Sequence, residues 1–459
     1  MSVRILALAL GNFAVATGAY VIAGMLSDIA SHTDVTVSLA GQLVTVYALT
    51  YALAAPVLST LFGHCDRRRL LAAALVLCAA GNLLTALAPG FEALLAARVV
   101  TAIGAATFTP LAVVTAADLV APHRRGSAVA LVVTGSTLAT VLGVPAGVAL
   151  AGPVGPQGVY AAIALLGLAA MATLPALPRT DPLPRIPLRA RFGVLRGATV
   201  PAVLGVSLLA AVSDFAVYTF VVPVLSDLGS PDPGELSALL VVYGLAGALG
   251  NVASGWATDR IGSDATMLGA LVLLAAGLFA LPFTGGAVVP TVAALALWGL
   301  GGWGVLPAVQ AKLIDAAPAA AGSAVALNAA VMWLGMGAGG IVGGGVIEAA
   351  GTGTLAVVGG VIAVAALAPL AVAARATRRG APAGLAAAAG WAAAPVADAG
   401  TGTGVVFATD PVPTTDATGP SVPTQEGYAP VREEVGEAAP SPVGGPAVAV
   451  GEARMAADV

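Results

Sequence analysis

Charge is scarce in this chain. Only 9% of its 459 residues are Asp, Glu, Lys or Arg, against about 25% in an ordinary soluble domain. A chain so poor in charge cannot clothe itself in a water-facing surface, so most of it must meet lipid. Lysine is nearly missing: Lys312 is the single example, and no G-x-x-x-x-G-K-[ST] segment is there to cradle a nucleotide phosphate. The three histidines, His32, His64 and His123, all fall between apolar runs, with no H-E-x-x-H or G-x-S-x-G pattern beside them. These gaps argue against ATPase, metallohydrolase and serine-hydrolase chemistry. The chain is expected to be no enzyme and to need no cofactor or metal. A net charge of −4 without a basic patch also argues against nucleic acid as a partner. Cys65 and Cys78 would stand roughly 20 Å apart on a helix, too far for a mutual disulfide.

What is plentiful is apolar sequence, at 58% of residues. Glycine (58) and proline (31) are also abundant, and membrane helices tolerate both. A spanning helix needs about 20 mostly apolar residues. Twelve runs qualify, numbered here as spans 1 to 12: 4–26, 37–62, 70–88, 92–117, 126–150, 157–177, 198–224, 235–257, 265–283, 288–311, 322–346 and 353–374. A cleaved leader is the alternative reading of the first run, but that run is long enough to span.

The charges sort themselves by side. Arg4 precedes span 1. Arg67, Arg68 and Arg69 follow span 2, Arg124 and Arg125 follow span 4, and five arginines follow span 6. Arg260 follows span 8, Lys312 follows span 10, and Arg375, Arg378 and Arg379 follow span 12. The opposite loops carry acids instead: Asp28, Asp34, Glu92, Asp227, Asp232, Glu235 and Glu348. Basic loops stay cytoplasmic, so both termini are expected inside. A missed or invented span would break this alternation, and it does not break.

The chain also repeats. Gly126 to Leu131 reads GSAVAL, and so does Gly322 to Leu327, 196 residues later. Val46-Tyr47 returns at the same offset as Val242-Tyr243, and Asp66-Arg67 returns at 193 as Asp259-Arg260. Six spans per copy give both copies the same topology, a parallel repeat about an axis along the membrane normal. The expected fold class is therefore all-α integral membrane, twelve helices in two six-helix bundles. The expected domains are 1–177, a cytoplasmic linker 178–197, a second bundle 198–375, and a disordered cytoplasmic tail 376–459, which is rich in Ala, Gly, Pro and Val.

Between spans 8 and 9 stands Gly255-Trp256-Ala257-Thr258-Asp259-Arg260-Ile261-Gly262, a G-x-x-x-D-R-x-G pattern. Its glycine would let two helices approach, its aspartate would suit a helix N-terminus, and its arginine would pair across to another helix. Together they would latch one conformation. Asp66, Arg67 and Arg125 are the expected first-half members, though Phe62 replaces the glycine there.

Twelve spans, the 6+6 repeat, the long central loop and this motif resemble the major facilitator superfamily. Gly143-Val144-Pro145-Ala146-Gly147 in span 5 resembles the glycine-proline motif of its proton-coupled exporters. Ile22-Ala23-Gly24, Asp28-Ile29-Ala30, Gly41-Gln42-Leu43-Val44, Tyr47-Ala48-Leu49 and Ala216-Val217-Tyr218-Thr219 are similar to the twelve-helix drug:proton antiporters, the arabinose-efflux and chloramphenicol-resistance-like branch. The resemblance covers roughly residues 5–375. It implies a monomeric multi-pass transporter of the plasma membrane that exchanges protons for a small amphiphilic solute such as a drug, antibiotic or sugar. It also implies that span 5 packs on span 8, where Gly244, Gly247 and Gly250 are suitably small, and that spans 1, 4, 7 and 10 line a central cavity.

Ionisable groups at membrane depth are costly and default to function. Two stand out: Arg98, about six residues and roughly 9 Å into span 4, and Asp214, about eight residues and roughly 12 Å from the outer end of span 7. Arg98 also occupies the place of that family's buried arginine. Asp214 is the expected proton carrier, with Arg98 tuning or competing for it. The branch often carries an acid in span 1; here that span offers Asn12, Thr17, Gly18, Ala19 and Tyr20 and no acid before Asp28. Asn12, Tyr20, Tyr218, Trp298 and Trp303 are the expected substrate-cavity residues. An importer or uniporter on the same fold, and a transporter-derived membrane sensor, remain the rival readings.

Overall fold

The computed structural model describes residues 3–62, 65–121, 124–178 and 193–377. Most of the expected linker and nearly all of the expected tail therefore lie outside the described residues, as do His64, His123, Arg378 and Arg379. The described chain is helical, without a strand among the described residues.

The first half runs Val3–Gly24, Leu26–Thr33, Val37–Leu61, Arg67–Ala86, Phe91–Asp118 and Arg125–Leu138, then a π turn Ala139–Gly143 and Val144–Thr173. The second runs Thr199–Tyr218, Val221–Gly229, Pro233–Ile261, Ser263–Ala280, Val288–Ala316, Ala321–Ala350 and Leu355–Ala365. Among the described residues eleven stretches are long and apolar enough to cross a membrane, but one of them, Arg125–Ala176, is 52 residues long. That is about 78 Å of helix, more than twice a bilayer core of about 30 Å. Gly155 divides it, with φ 70° and ψ 167°, a conformation reserved for glycine. The count of twelve follows.

Local chemistry starts the helices. The Thr36 hydroxyl accepts from the Leu39 amide at 3.2 Å, Asp66 accepts from Arg69 at 2.8 Å, and Asp232 accepts from Gly234 and Glu235. Each satisfies amide donors that a helix start leaves unpaired.

The backbone repeats at the spacing of the sequence landmarks. Gly351 repeats Gly155 at φ 79° and ψ 169°. Asp34 and Ser230 are the only non-glycine residues with positive φ among the described residues, at 54° and 47°, and they too are 196 apart. Spans 1 and 7 both break before a short outer helix, at Met25 (φ −121°, ψ 14°) and Phe220 (φ −113°, ψ 25°).

The halves meet along two seams near the acid-bearing end. In one, Gly244 of span 8 abuts the backbone of Thr140 and Val141, and Ser237 Oγ donates to Pro145 O at 2.7 Å. In the other, Thr45 Oγ1 donates to Gly337 O at 3.3 Å, and Gly340 and Gly344 make room for Thr45 and Ser38. The span 5 to span 8 contact therefore stands, but it rests on other atoms than expected. Gly143 and Gly147 face Thr17 and Val21 of span 1, while Gly247 and Gly250 face Trp303 and Leu300 of span 10. Pro145 reaches span 8 through its carbonyl, which accepts from the Ser237 hydroxyl.

Candidate functional site

At the arginine-bearing end a cavity of about 590 Å³ lies between the halves. Tyr51, Ser59 and Phe62 of span 2, Thr107 of span 4, and Ser323 and Ala330 of span 11 are among its walls. The walls are mostly apolar with scattered hydroxyls. Among the described residues Arg67 is the one charged side chain that lines it, and it is already paired with Asp118 at 2.6 Å.

Beyond Tyr51 the interior is aromatic. Tyr51 stacks on Trp333 of span 11 with centroids 4.1 Å apart. Tyr20 lies parallel to Trp333 at 6.3 Å and meets Trp303 edge-on at 6.1 Å. Phe215, Tyr218, Tyr243 and Trp298 continue the series, each 4.8 to 6.4 Å from the next. Tyr20, Tyr218, Trp298 and Trp303 were expected to line a cavity; in this conformation they form the packing beyond its closed end and do not touch it. The reason is that large rings on spans 1, 7, 10 and 11 find one another, which buries more apolar surface than facing water. Asn12 is also withdrawn. Its Nδ2 donates to Val132 O at 2.9 Å and Ser136 Oγ at 2.6 Å, and its Oδ1 accepts from Thr109 at 3.0 Å, tying spans 1, 4 and 5.

The aromatic series ends on Asp214. Trp298 Nε1 donates to Oδ1 at 2.6 Å, and the Tyr243 hydroxyl reaches both carboxylate oxygens at 3.1 and 3.3 Å. Trp303 Nε1 in turn donates to the Tyr243 hydroxyl at 3.2 Å. Asp214 is only 5% exposed. Gly302 admits it, since a Cβ there would stand 2.7 Å from Oδ1. The run Trp298 to Trp303 thus uses glycine for smallness in a straight helix. Three spans, 7, 8 and 10, converge on one carboxylate with only donors around it, an arrangement that can hold a negative charge or take up a proton.

Arg98 is fully buried elsewhere. Its Nη1 donates to Gly18 O at 2.9 Å and Nη2 to Ala19 O at 3.4 Å, and its guanidinium lies 4.4 Å from the Tyr47 ring centre. Among the described residues it has no ion-pair partner, so Arg98 and Asp214, expected to act on each other, are held by separate groups. Similar depth did not make them neighbours because they face the interiors of different bundles.

The expected latch residues are dispersed. Asp66 caps span 3, and Arg67 pairs with Asp118 instead of reaching the other half. Arg125 opens span 5 and makes no ion pair among the described residues. Gly255 has open space beside it, so close helix approach does not explain it there. Arg260 lies over the Trp256 ring at 4.2 Å, and Asp259 makes no ion pair among the described residues. Gly262 has a clear reason: at φ 84° and ψ 158° it turns the chain from span 8 into span 9. The second-half ion pair is Lys312 with Asp264 at 2.9 Å, which sequence reasoning missed. Tyr243, Tyr51, Phe215 and Trp333 were missed as well. Tyr243 had carried a signal, as the repeat partner of Tyr47. No group of three or more His, Cys, Asp or Glu side chains among the described residues could hold a metal ion.

Comparison with known proteins gives the same outline. Residues 8–229 and 203–413 match the profile of the Major Facilitator Superfamily. The inner membrane transport protein YdhP of Escherichia coli (strain K12) is 32% identical over 346 residues, 75% of this chain and 89% of that protein. A protein of Mannheimia succiniciproducens named "Probable sugar efflux transporter" is 26% identical over 364 residues, 78% of this chain and 90% of that protein. Among solved structures, a mutant form of the nucleoside transporter NupG superposes with a TM-score of 0.66 at 14% identity, covering 81% of this chain and 100% of that one.

Proposed function

Because this chain belongs to the Major Facilitator Superfamily, we propose that it exports a small amphiphilic molecule in exchange for protons, by alternating access between its two halves. The observation that carries this reading is Asp214, a carboxylate buried at membrane depth among donors from two other spans. A carboxylate in such a place is retained for function more readily than for stability. The seams at the acid-bearing end and the cavity at the other end suit one state of a rocking cycle. With the arginine loops cytoplasmic, as their one-sidedness favours, that state faces inward, both termini lie inside, and the protein sits in the plasma membrane. Export over import is favoured by the name of the Mannheimia relative and by the Gly143-Pro145-Gly147 segment. Mostly apolar walls with scattered hydroxyls suit an amphiphilic drug, antibiotic or sugar derivative carried by a monomer.

The test is transport in proteoliposomes with an imposed pH gradient, using a panel of labelled sugars and antibiotics. Asp214→Asn should lose accumulation driven by the gradient and keep solute exchange. Undiminished gradient-driven transport by that variant would end the proposal.

A further inference from the structure

The surroundings of Arg98 are short of negative charge. Tyr47, Asn82 and Tyr160 are, like Arg98, almost entirely buried, at 0, 3, 1 and 0% exposure respectively. Arg98 and Asn82 meet at Gly18 of span 1, and the Arg98 guanidinium lies 4.4 Å from the Tyr47 ring centre. Arg98 donates to the Gly18 carbonyl, both amide atoms of Asn82 would stand 3.2 Å from a Cβ on Gly18, and Ile163, one turn from Tyr160, borders the same point. Four polar atoms here have no hydrogen-bond partner: Arg98 Nε, the Tyr47 hydroxyl, the Tyr160 hydroxyl and Asn82 Oδ1. Three of them can donate, and no carboxylate is bonded to any of them. A buried cation without a counter-charge is among the costliest features a protein interior can hold.

The repeat says what is missing. Gly18 lies 196 residues before Asp214, and Tyr47 lies 196 before Tyr243. In the second half the tyrosine donates to the carboxylate. In the first half the equivalent tyrosine has no acceptor and the carboxylate position is a glycine. The guanidinium supplies a positive charge that the second-half site does not have.

We propose that the first half binds one small inorganic anion of halide size between Arg98 and the Tyr47 hydroxyl, where it takes the part that the Asp214 carboxylate takes in the second half. Tyr51, one helical turn from Tyr47, lines the cavity, which makes that end of the bundle the nearest approach to the site. The anion completes the hydrogen bonding of the tyrosine and neutralises the guanidinium. Nothing in this depends on the direction of transport or on proton coupling.

The experiment is thermal unfolding of the purified full-length protein in sodium gluconate, titrated with sodium chloride or sodium bromide at constant ionic strength. Both halides should raise the melting temperature saturably, as a ligand of the folded state does, while gluconate has no effect. Tyr47→Phe keeps the ring under Arg98 and removes the donor, and should weaken halide binding about tenfold, the loss expected for one hydrogen bond to a charged group. Tyr160→Phe is the second variant, with a smaller weakening. Tyr243→Phe should leave halide binding unchanged. The proposal is overturned if chloride and bromide do nothing beyond gluconate in the wild type. It is equally overturned if neither Tyr47→Phe nor Tyr160→Phe weakens the halide, or if Tyr243→Phe weakens it as much.

Discussion

In the first half a cation on span 4 reaches back to the carbonyls of span 1 and lies over a tyrosine of span 2. In the second half an anion on span 7 is reached by the equivalent tyrosine of span 8 and by a tryptophan of span 10. One scaffold has thus been given opposite charges at matching junctions. The second-half site has its donors in place around a group that can change its charge. The first-half site holds a charge that arginine does not give up. Under the proposed function this difference would divide the roles: proton exchange with the half that has the carboxylate, and a fixed field with the half that has the guanidinium.

The sharpest way to break the comparison is to remove each partner in turn and follow proton-driven transport. Asp214→Leu should abolish it. Tyr243→Phe removes one hydrogen bond to the carboxylate and should lower it about tenfold. Tyr47→Phe, the matching change in the first half, should leave it within about twofold when halide is saturating. Equal losses from the two tyrosine variants would mean that the halves share the proton task.

Backbone turns allow a second comparison, in which the halves should behave alike. Gly155→Ala and Gly351→Ala each place a side chain at a φ near 70–80° and ψ near 170°, where alanine costs about 1–3 kcal/mol. A Cβ at Gly351 would meet nothing, and at Gly155 only the flexible end of Gln157 at 3.0 Å. The cost is therefore conformational in both, and the two melting temperatures should fall by the same amount. A much larger drop at one would show that the two turns are not equivalent.

Much of the fold was legible because depth in a bilayer is written in length and hydropathy. The break near Gly155 falls between the expected runs 126–150 and 157–177, and the landmark offset of 196 reappears in backbone angles at Asp34 and Ser230. Rotation about each helix axis was far less legible. A spanning helix is apolar all round, so no polar stripe marks its inner face. That is why Arg98 and Asp214 take separate partners, and why Trp298 packs on Asp214 away from the cavity. Trp333 was missed for the same reason, since only packing shows that it covers Tyr51. Gly255 misled in the opposite way: a motif suggested a close contact that this conformation does not make.

The smallest expected effect comes from the helix-end ion pairs, which the halves have built with opposite polarity. Asp264 sits in the first turn of its helix, where its charge agrees with the dipole, and Lys312 lies just before the last turn of its own, in the half that favours a cation. Arg67 opens its helix and Asp118 closes its own, so both disagree. Exchanging the first-half pair, R67D/D118R, keeps the ion pair and the number of arginines at that end of the bundle while bringing both charges into line. Each correction is worth about 0.3–1 kcal/mol in an exposed setting. Asp118 is 40% exposed, so water screens its share. Asp66, the capping residue next to position 67, would repel the new aspartate. The net gain should be about 1 kcal/mol, read as a modest rise in melting temperature. The mirror exchange, D264K/K312D, should lower it by less, since only Asp264 lies within a terminal turn. A fall in both variants would show that the local surroundings of each pair, and not the helix ends, decide which sign sits where.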